Sequence, residues 1–109
     1  MAWIILFVAG LFEICWAVGL KYSGAFSRLW PTVGTLFAMV ASLSLLAVAL
    51  RTLPLGTAYA IWTGIGAIGT AIFGIVLFRE PANAMRLLCI ALILIGIIGL
   101  RLVARTDPV

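Results

Sequence analysis

A single acidic residue lies inside a long apolar stretch near the start of the sequence. Glu13 falls within the stretch from Ala2 to Leu20, whereas the other two acidic residues, Glu80 and Asp107, lie in a connecting segment and in the tail. A carboxylate in apolar surroundings marks an ion path or a proton relay by default, because a proton or a cation can neutralise it. We therefore take Glu13 as the candidate binding group for both a proton and a cationic substrate.

Residues at helical spacing from Glu13 share its face of the first apolar stretch. These neighbours include Gly10 and Trp16, which stand three residues before and after it, so that a helix brings all three together. The pattern predicts a face that combines one carboxylate, one aromatic wall and one position without a side chain. An aromatic face also serves ordinary packing, so this pattern alone leaves both interpretations open.

Two other stretches supply polar groups that can reach a central carboxylate. Tyr59 and Trp62 are three residues apart in the third stretch, and Ser42 lies in the middle of the second. A tyrosine O–H and a tryptophan N–H in apolar surroundings need acceptors. We expect both to donate to Glu13 and Ser42 to join them, although a mid-helix serine also commonly bonds to its own helix.

The composition shows which elements must position these residues. The chain has 109 residues, of which 66% are hydrophobic and 9% are charged, whereas a soluble domain carries about 25% charged residues. Breaking the sequence at its charges gives four apolar spans, at about 2–20, 29–50, 54–78 and 84–103. A helix needs about 20 residues to cross a bilayer. We predict an all-α integral membrane protein, with residues 1–109 forming a single domain of four transmembrane helices.

Positive charge is almost evenly divided between the two ends of these helices. One side receives four basic residues and the other three: Lys21, Arg28, Arg79 and Arg86 against Arg51, Arg101 and Arg105. Because the excess of Lys and Arg normally sets orientation, a near-equal count is compatible with insertion both ways round. The fourth span has neither ionisable nor aromatic residues between its arginines, and we assign it to packing between chains, with Gly96 and Gly99 as contact points.

Several function classes are excluded at this level. The chain has no histidine and two cysteines, Cys15 and Cys89, which lie in apolar runs; Cys/His zinc sites and histidine-based triads are therefore absent. The seven basic residues are scattered singly, which excludes the clustered patch of a nucleic-acid binder. We expect no metal, no cofactor and no enzyme activity, and membrane lipid as a partner.

Two sequence segments match a known pattern across essentially the whole chain. The segments are WAVGLKYS at Trp16–Ser23 and PLGTAYAIWTGIGAIG at Pro54–Gly69, which follow a lone glutamate in the first of four short spans. The sequence resembles the small multidrug resistance family of bacterial membrane transporters. Within it, Trp16 is similar to the guanidinium exporter subtype, because the drug-exporting branch typically has a small residue there.

The resemblance implies a fold, a substrate and a mechanism. It implies an antiparallel, dual-topology homodimer in the bacterial inner membrane that exchanges guanidinium-type cations for protons at its paired Glu13 carboxylates. The residues that it places around the site are Gly10, Trp16, Ser42, Tyr59 and Trp62. A heteromeric pair with a sister protein is equally compatible with the sequence.

Three other functions remain open on the sequence. The first is an exporter of hydrophobic quaternary ammonium drugs. The second is a proton-translocating subunit of a rotary motor, although such subunits are usually two-helix hairpins. The third is an accessory membrane protein without transport of its own.

Overall fold

The computed structural model describes residues 1–106, without the side chains of 104–106, and shows four long helices. They are α1 (Ala2–Tyr22), α2 (Leu29–Ala49), α3 (Leu55–Phe78) and α4 (Ala84–Thr106). All four are long and apolar enough to cross a membrane, since about 20 helical residues span the hydrocarbon core. The predicted all-α architecture with four spans is thus confirmed, whereas the Arg105 side chain and Asp107 lie outside the described residues.

Helix α1 occupies the middle of the packing arrangement. It packs against α2 on one side and α3 on the other, and α2 and α3 touch each other little. Helix α4 packs mainly against α3, and its Arg101 Cζ also lies 5.0 Å from the centroid of the Trp3 ring on α1. Fully buried alanines lie where the helices approach, namely Ala9 on α1, Ala49 on α2 and Ala58 on α3. Small residues let helix backbones come close, which is how membrane helices gain van der Waals contact without a hydrophobic driving force.

Glycines on α3 allow neighbours to pack closely on two of its faces. A Cβ at Gly69 would overlap the side chain of Ile14 on α1, and a Cβ at Gly64 would lie 2.7 Å from Ile97 Cδ1 on α4. The glycine-rich sequence of α3 therefore fits its position between two helices. Because α1 sits this close, residues on α1 and α3 face each other directly.

Helix α4 is the most exposed element. Large apolar side chains on it are more than half exposed, including Leu92, Ile95 and Ile98, and a Cβ at Gly96 or Gly99 would meet no atom within 4 Å. These residues face surroundings outside the chain. In a membrane protein such surroundings are lipid or another helix.

The connections between helices are short and determine which helix ends lie together. Six residues, 23–28, join α1 to α2, and five residues join α3 to α4. The C-terminal ends of α1 and α3 and the N-terminal ends of α2 and α4 consequently lie at one end of the bundle. In the first connection, the buried Ser23 hydroxyl donates to Leu20 O at 2.9 Å and accepts from the Phe26 N–H at 3.1 Å, which closes the end of α1.

Candidate functional site

Glu13 lies on α1 at its contact with α3. The residue is half-buried, and its Oε1 atom is buried with no hydrogen-bond partner among the described residues. Gly66 on α3 lies directly against it, so that a Cβ at this position would overlap the carboxylate. The carboxylate is thus held in a close helix contact while one of its acceptor atoms is unsatisfied.

One turn further along α1, the N–H group of Trp16 also lacks a hydrogen-bond partner among the described residues. Its indole Nε1 is buried and has no acceptor in the part of the chain that the structure describes. Buried polar atoms are normally hydrogen-bonded, so an unsatisfied one calls for a specific explanation. Glu13 thus lacks a donor and Trp16 lacks an acceptor, on neighbouring turns of one helix. Two such groups together indicate a place where further polar groups bind.

Ser42 connects the first three helices at the level of this site. Its hydroxyl is fully buried, donates to Ala9 O on α1 at 2.7 Å, and accepts from Trp62 Nε1 on α3 at 3.0 Å. The expectation that Trp62 donates to Glu13 is therefore wrong in this structure, because Ser42 takes that hydrogen bond. The bond fixes the orientation of the indole, which is buried between the helices.

The remaining predicted site residues have different surroundings. The Tyr59 ring lies 5.6 Å from the Trp62 ring, centroid to centroid, and the residue is 55% exposed. The expected bond from Tyr59 to the buried Glu13 Oε1 is not formed, because that atom has no hydrogen-bond partner among the described residues. Gly10 is buried against α3, where a Cβ would lie 2.6 Å from Ile65 Cγ2. Its immediate effect is to bring α1 and α3 together one turn before Glu13.

Two contributors to the site were not selected as site residues from the sequence. The backbone carbonyl of Ala9 accepts from Ser42, and Gly66 supplies the bare surface behind the carboxylate. A carbonyl has no sequence signal. The glycine does have one, because the repeated glycines of α3 indicate close approach, but only the tertiary structure shows that Glu13 is what approaches.

Comparisons with known proteins agree on a single family. The family described as Small Multidrug Resistance protein matches residues 1–93. A guanidinium exporter of Proteus vulgaris is 64% identical over 102 residues, covering 94% of this chain and 98% of the relative. Guanidinium exporters of Escherichia coli K12 and Salmonella typhimurium LT2 are 64% and 62% identical, covering 94% and 96% of this chain and 97% and 100% of the relatives.

Removing the Ser42 hydroxyl tests the network that joins the three helices. We expect Ser42→Ala to lower the free energy of unfolding by about 0.6–1.7 kcal/mol, the range for polar contacts between membrane helices, because Trp62 Nε1 loses its acceptor. Denaturant titration in detergent micelles measures this change. Ser44→Ala, an exposed serine on the same helix, is the control, and equal stabilities of the two variants would contradict a role for the network.

Proposed function

The chain belongs to the small multidrug resistance family and is a multi-pass protein of the bacterial inner membrane, and from this premise we propose that it exports guanidinium and small guanidinyl cations in exchange for protons. Glu13 is the binding group in this proposal. The observation that carries it is the buried Glu13 Oε1 on a membrane-spanning helix, an acceptor for which the described residues supply no donor.

The chemistry of guanidinium suits such a carboxylate. Guanidinium is planar and positively charged, and its paired N–H groups match the two oxygens of a carboxylate. In apolar surroundings these charge-assisted hydrogen bonds face little competition from water. That the similar enterobacterial proteins are named guanidinium exporters supports the same substrate.

Coupling to protons follows from competition for one group. Glu13 can be neutralised by a proton or by a cation but not by both at once, so cation binding expels the proton and proton binding expels the cation. If the site opens to one side of the membrane at a time, each cation that leaves is replaced by protons that enter. The proton gradient then drives export without any cofactor.

An antiparallel homodimer completes the proposed mechanism. Two features support it: the count of four basic residues against three between the two ends of the helices, and the exposed apolar face of α4 with its uncovered Gly96 and Gly99. Two oppositely inserted copies bring two Glu13 carboxylates to one central site. The inward-open and outward-open states are then equivalent, and the two chains exchange conformations during transport.

Aromatic residues around the site favour a small flat cation. Trp62 is held by Ser42, and the Tyr59 ring lies beside it at 5.6 Å with a tilt of 46° between the planes. In this proposal these two rings and that of Trp16 supply the faces that attract cations. Export of hydrophobic quaternary ammonium drugs is the alternative within the family, because the same carboxylate neutralises any cation. The bulk of Trp16 beside Glu13 favours guanidinium.

Replacing the carboxylate by its neutral isostere tests the proposal. We expect Glu13→Gln to abolish guanidinium-driven proton flux in proteoliposomes, since an amide neither attracts the cation nor exchanges the proton. Glu13→Asp, which keeps the charge, serves as the comparison. Continued flux with Glu13→Gln would contradict the assignment, and wild-type protein that moves a tetraalkylammonium ion but not guanidinium would favour the alternative substrate.

A methyl group behind the carboxylate tests the position of Glu13. Because a Cβ at Gly66 overlaps the flexible end of the Glu13 side chain, we expect Gly66→Ala to leave the fold intact and displace the carboxylate. Guanidinium affinity by isothermal titration calorimetry should fall about tenfold, which equals about 1.4 kcal/mol. Gly56→Ala on the same helix, where a Cβ meets nothing within 4 Å, is the matched control; equal affinities would show that the contact is unimportant.

The dual orientation has its own test. In cells that express this protein alone, we expect C-terminal tags on both sides of the inner membrane, because the charge count favours neither orientation strongly. Adding two lysines after the tag should shift the population toward one side. Tags confined to one side in the unmodified protein would exclude the antiparallel homodimer and favour a heteromeric pair.

A further inference from the structure

A second polar feature lies at the end of a crevice between α1 and α3. The crevice has a volume of about 350 Å³, which lies in the range of about 300–1,000 Å³ for small-molecule sites. Small residues line its length, and charged residues surround its mouth. The small residues are Ala17, Ala67, Ala71 and Gly74, and the charged ones are Lys21, Glu80 and Arg86.

The inner part of the crevice begins close to the Glu13 site. Ala17 is one helical turn after Glu13 on α1, and Ala67 follows Gly66 on α3. Lys21, near the other end of the crevice, is eight residues after Glu13, which corresponds to about 12 Å along a helix. The crevice thus starts about one helical turn from Glu13, which does not itself line it, and extends to the end of the bundle where α1 and α3 end.

Glu80 and Arg86 form an ion pair across this mouth. Arg86 Nη2 lies 2.7 Å from Glu80 Oε1, and the two side chains are 36% and 38% exposed. The Glu80 carboxylate also lies against Gly74, where a Cβ would be 2.6 Å from Oε1. The pair is thus partly open to solvent on one side and faces the crevice on the other.

The other cation at the mouth lies against an aromatic ring. Lys21 Nζ is 5.4 Å from the centroid of the Phe78 ring, a cation–π distance. Lys21 therefore has its own contact, and Arg86 is the cation that neutralises Glu80. The head group of Arg86 is itself a guanidinium group, so Glu80 already binds the same chemical group that the proposed cargo presents.

We propose that Glu80 is a peripheral binding site for guanidinium-type cations, at which the cargo displaces the Arg86 head group before it moves along the crevice to Glu13. This inference rests on the proposed function. A partly exposed ion pair contributes only about 0.2–1 kcal/mol, so a free guanidinium ion can replace one that is tethered. Arg86 then acts as a competitor that closes the mouth of the crevice when cargo is scarce.

The Glu80–Arg86 pair can be a structural contact only, or Arg86 can compete with the cargo for Glu80, and the two roles predict different effects of mutation. If the pair only holds the α3–α4 connection in place, then removing either partner has the same effect. If Arg86 competes with the cargo for Glu80, removing Glu80 weakens cargo capture while removing Arg86 strengthens it. The sign of the two changes therefore separates the explanations.

The experiment measures guanidinium-driven proton flux in proteoliposomes over a series of guanidinium concentrations. We expect Glu80→Gln to raise KM and Arg86→Gln to lower it, each about two- to fivefold, the equivalent of one exposed ion pair. The guanidinium Kd of the Glu13 site, measured by calorimetry in detergent, should stay unchanged. Arg79→Gln is the matched control. It removes an exposed positive charge from the connection between α3 and α4, next to Glu80, but leaves the ion-pair partner of Glu80 in place.

The outcomes are distinct. Opposite changes in KM, with a larger decrease for Arg86→Gln than for Arg79→Gln, support the peripheral site. Changes in the same direction, an unchanged KM for Glu80→Gln, or equal effects of the two arginine variants overturn it. If Glu80→Gln fails to fold, the comparison of the two arginine variants decides alone. Wild-type protein without guanidinium flux would instead overturn the proposed function, and with it this inference.

Discussion

Lipid offers no hydrogen bonds, and this constraint acts on every polar group in a bundle of four membrane-spanning helices. Most polar groups here satisfy it locally, through helix backbone bonds or through side chains such as Ser42, which serves three helices at once. The Glu13 carboxylate does not. Its Oε1 is buried beside the bare backbone of Gly66, and no donor reaches it from the part of the chain that the structure describes. The helix packing around it is close because glycine and alanine occupy the contacts.

The Ser42 network separates two tasks that the sequence seemed to combine. Trp62 directs its N–H to Ser42 and not to the carboxylate, so the polar groups of α2 and α3 stabilise the helix arrangement while Glu13 stays free to accept. A carboxylate saturated by its own chain would bind a cation or a proton less readily, since those bonds would first have to break. The hydrogen bonds of Ser42 therefore hold the helices together, while the carboxylate of Glu13 remains available to a ligand.

The two carboxylates of the described chain illustrate how location changes the same chemistry. Glu80 lies at the end of the bundle, partly exposed and paired with an arginine of its own chain, whereas Glu13 lies along a membrane-spanning helix and has no pair. Near water, an ion pair forms and breaks at little cost. In apolar surroundings a charge needs a partner far more, and the proposed mechanism uses this difference to bind the cargo loosely first and firmly later.

The sequence by itself determined the four-helix class, because a chain with 66% hydrophobic residues and spans of about 20 residues leaves no soluble alternative. It also identified Glu13, since a lone acid in an apolar span is conspicuous at any level of description. Helix ends were less certain: α1 and α4 continue two to three residues beyond the predicted spans, because polar end residues remain helical.

Only the tertiary structure decided that Trp62 bonds to Ser42, that Gly66 faces Glu13, and that Glu80 and Arg86 meet at the mouth of a crevice. Helical periodicity tells which residues share a face, but which face meets which neighbour depends on how helices rotate and cross as they pack.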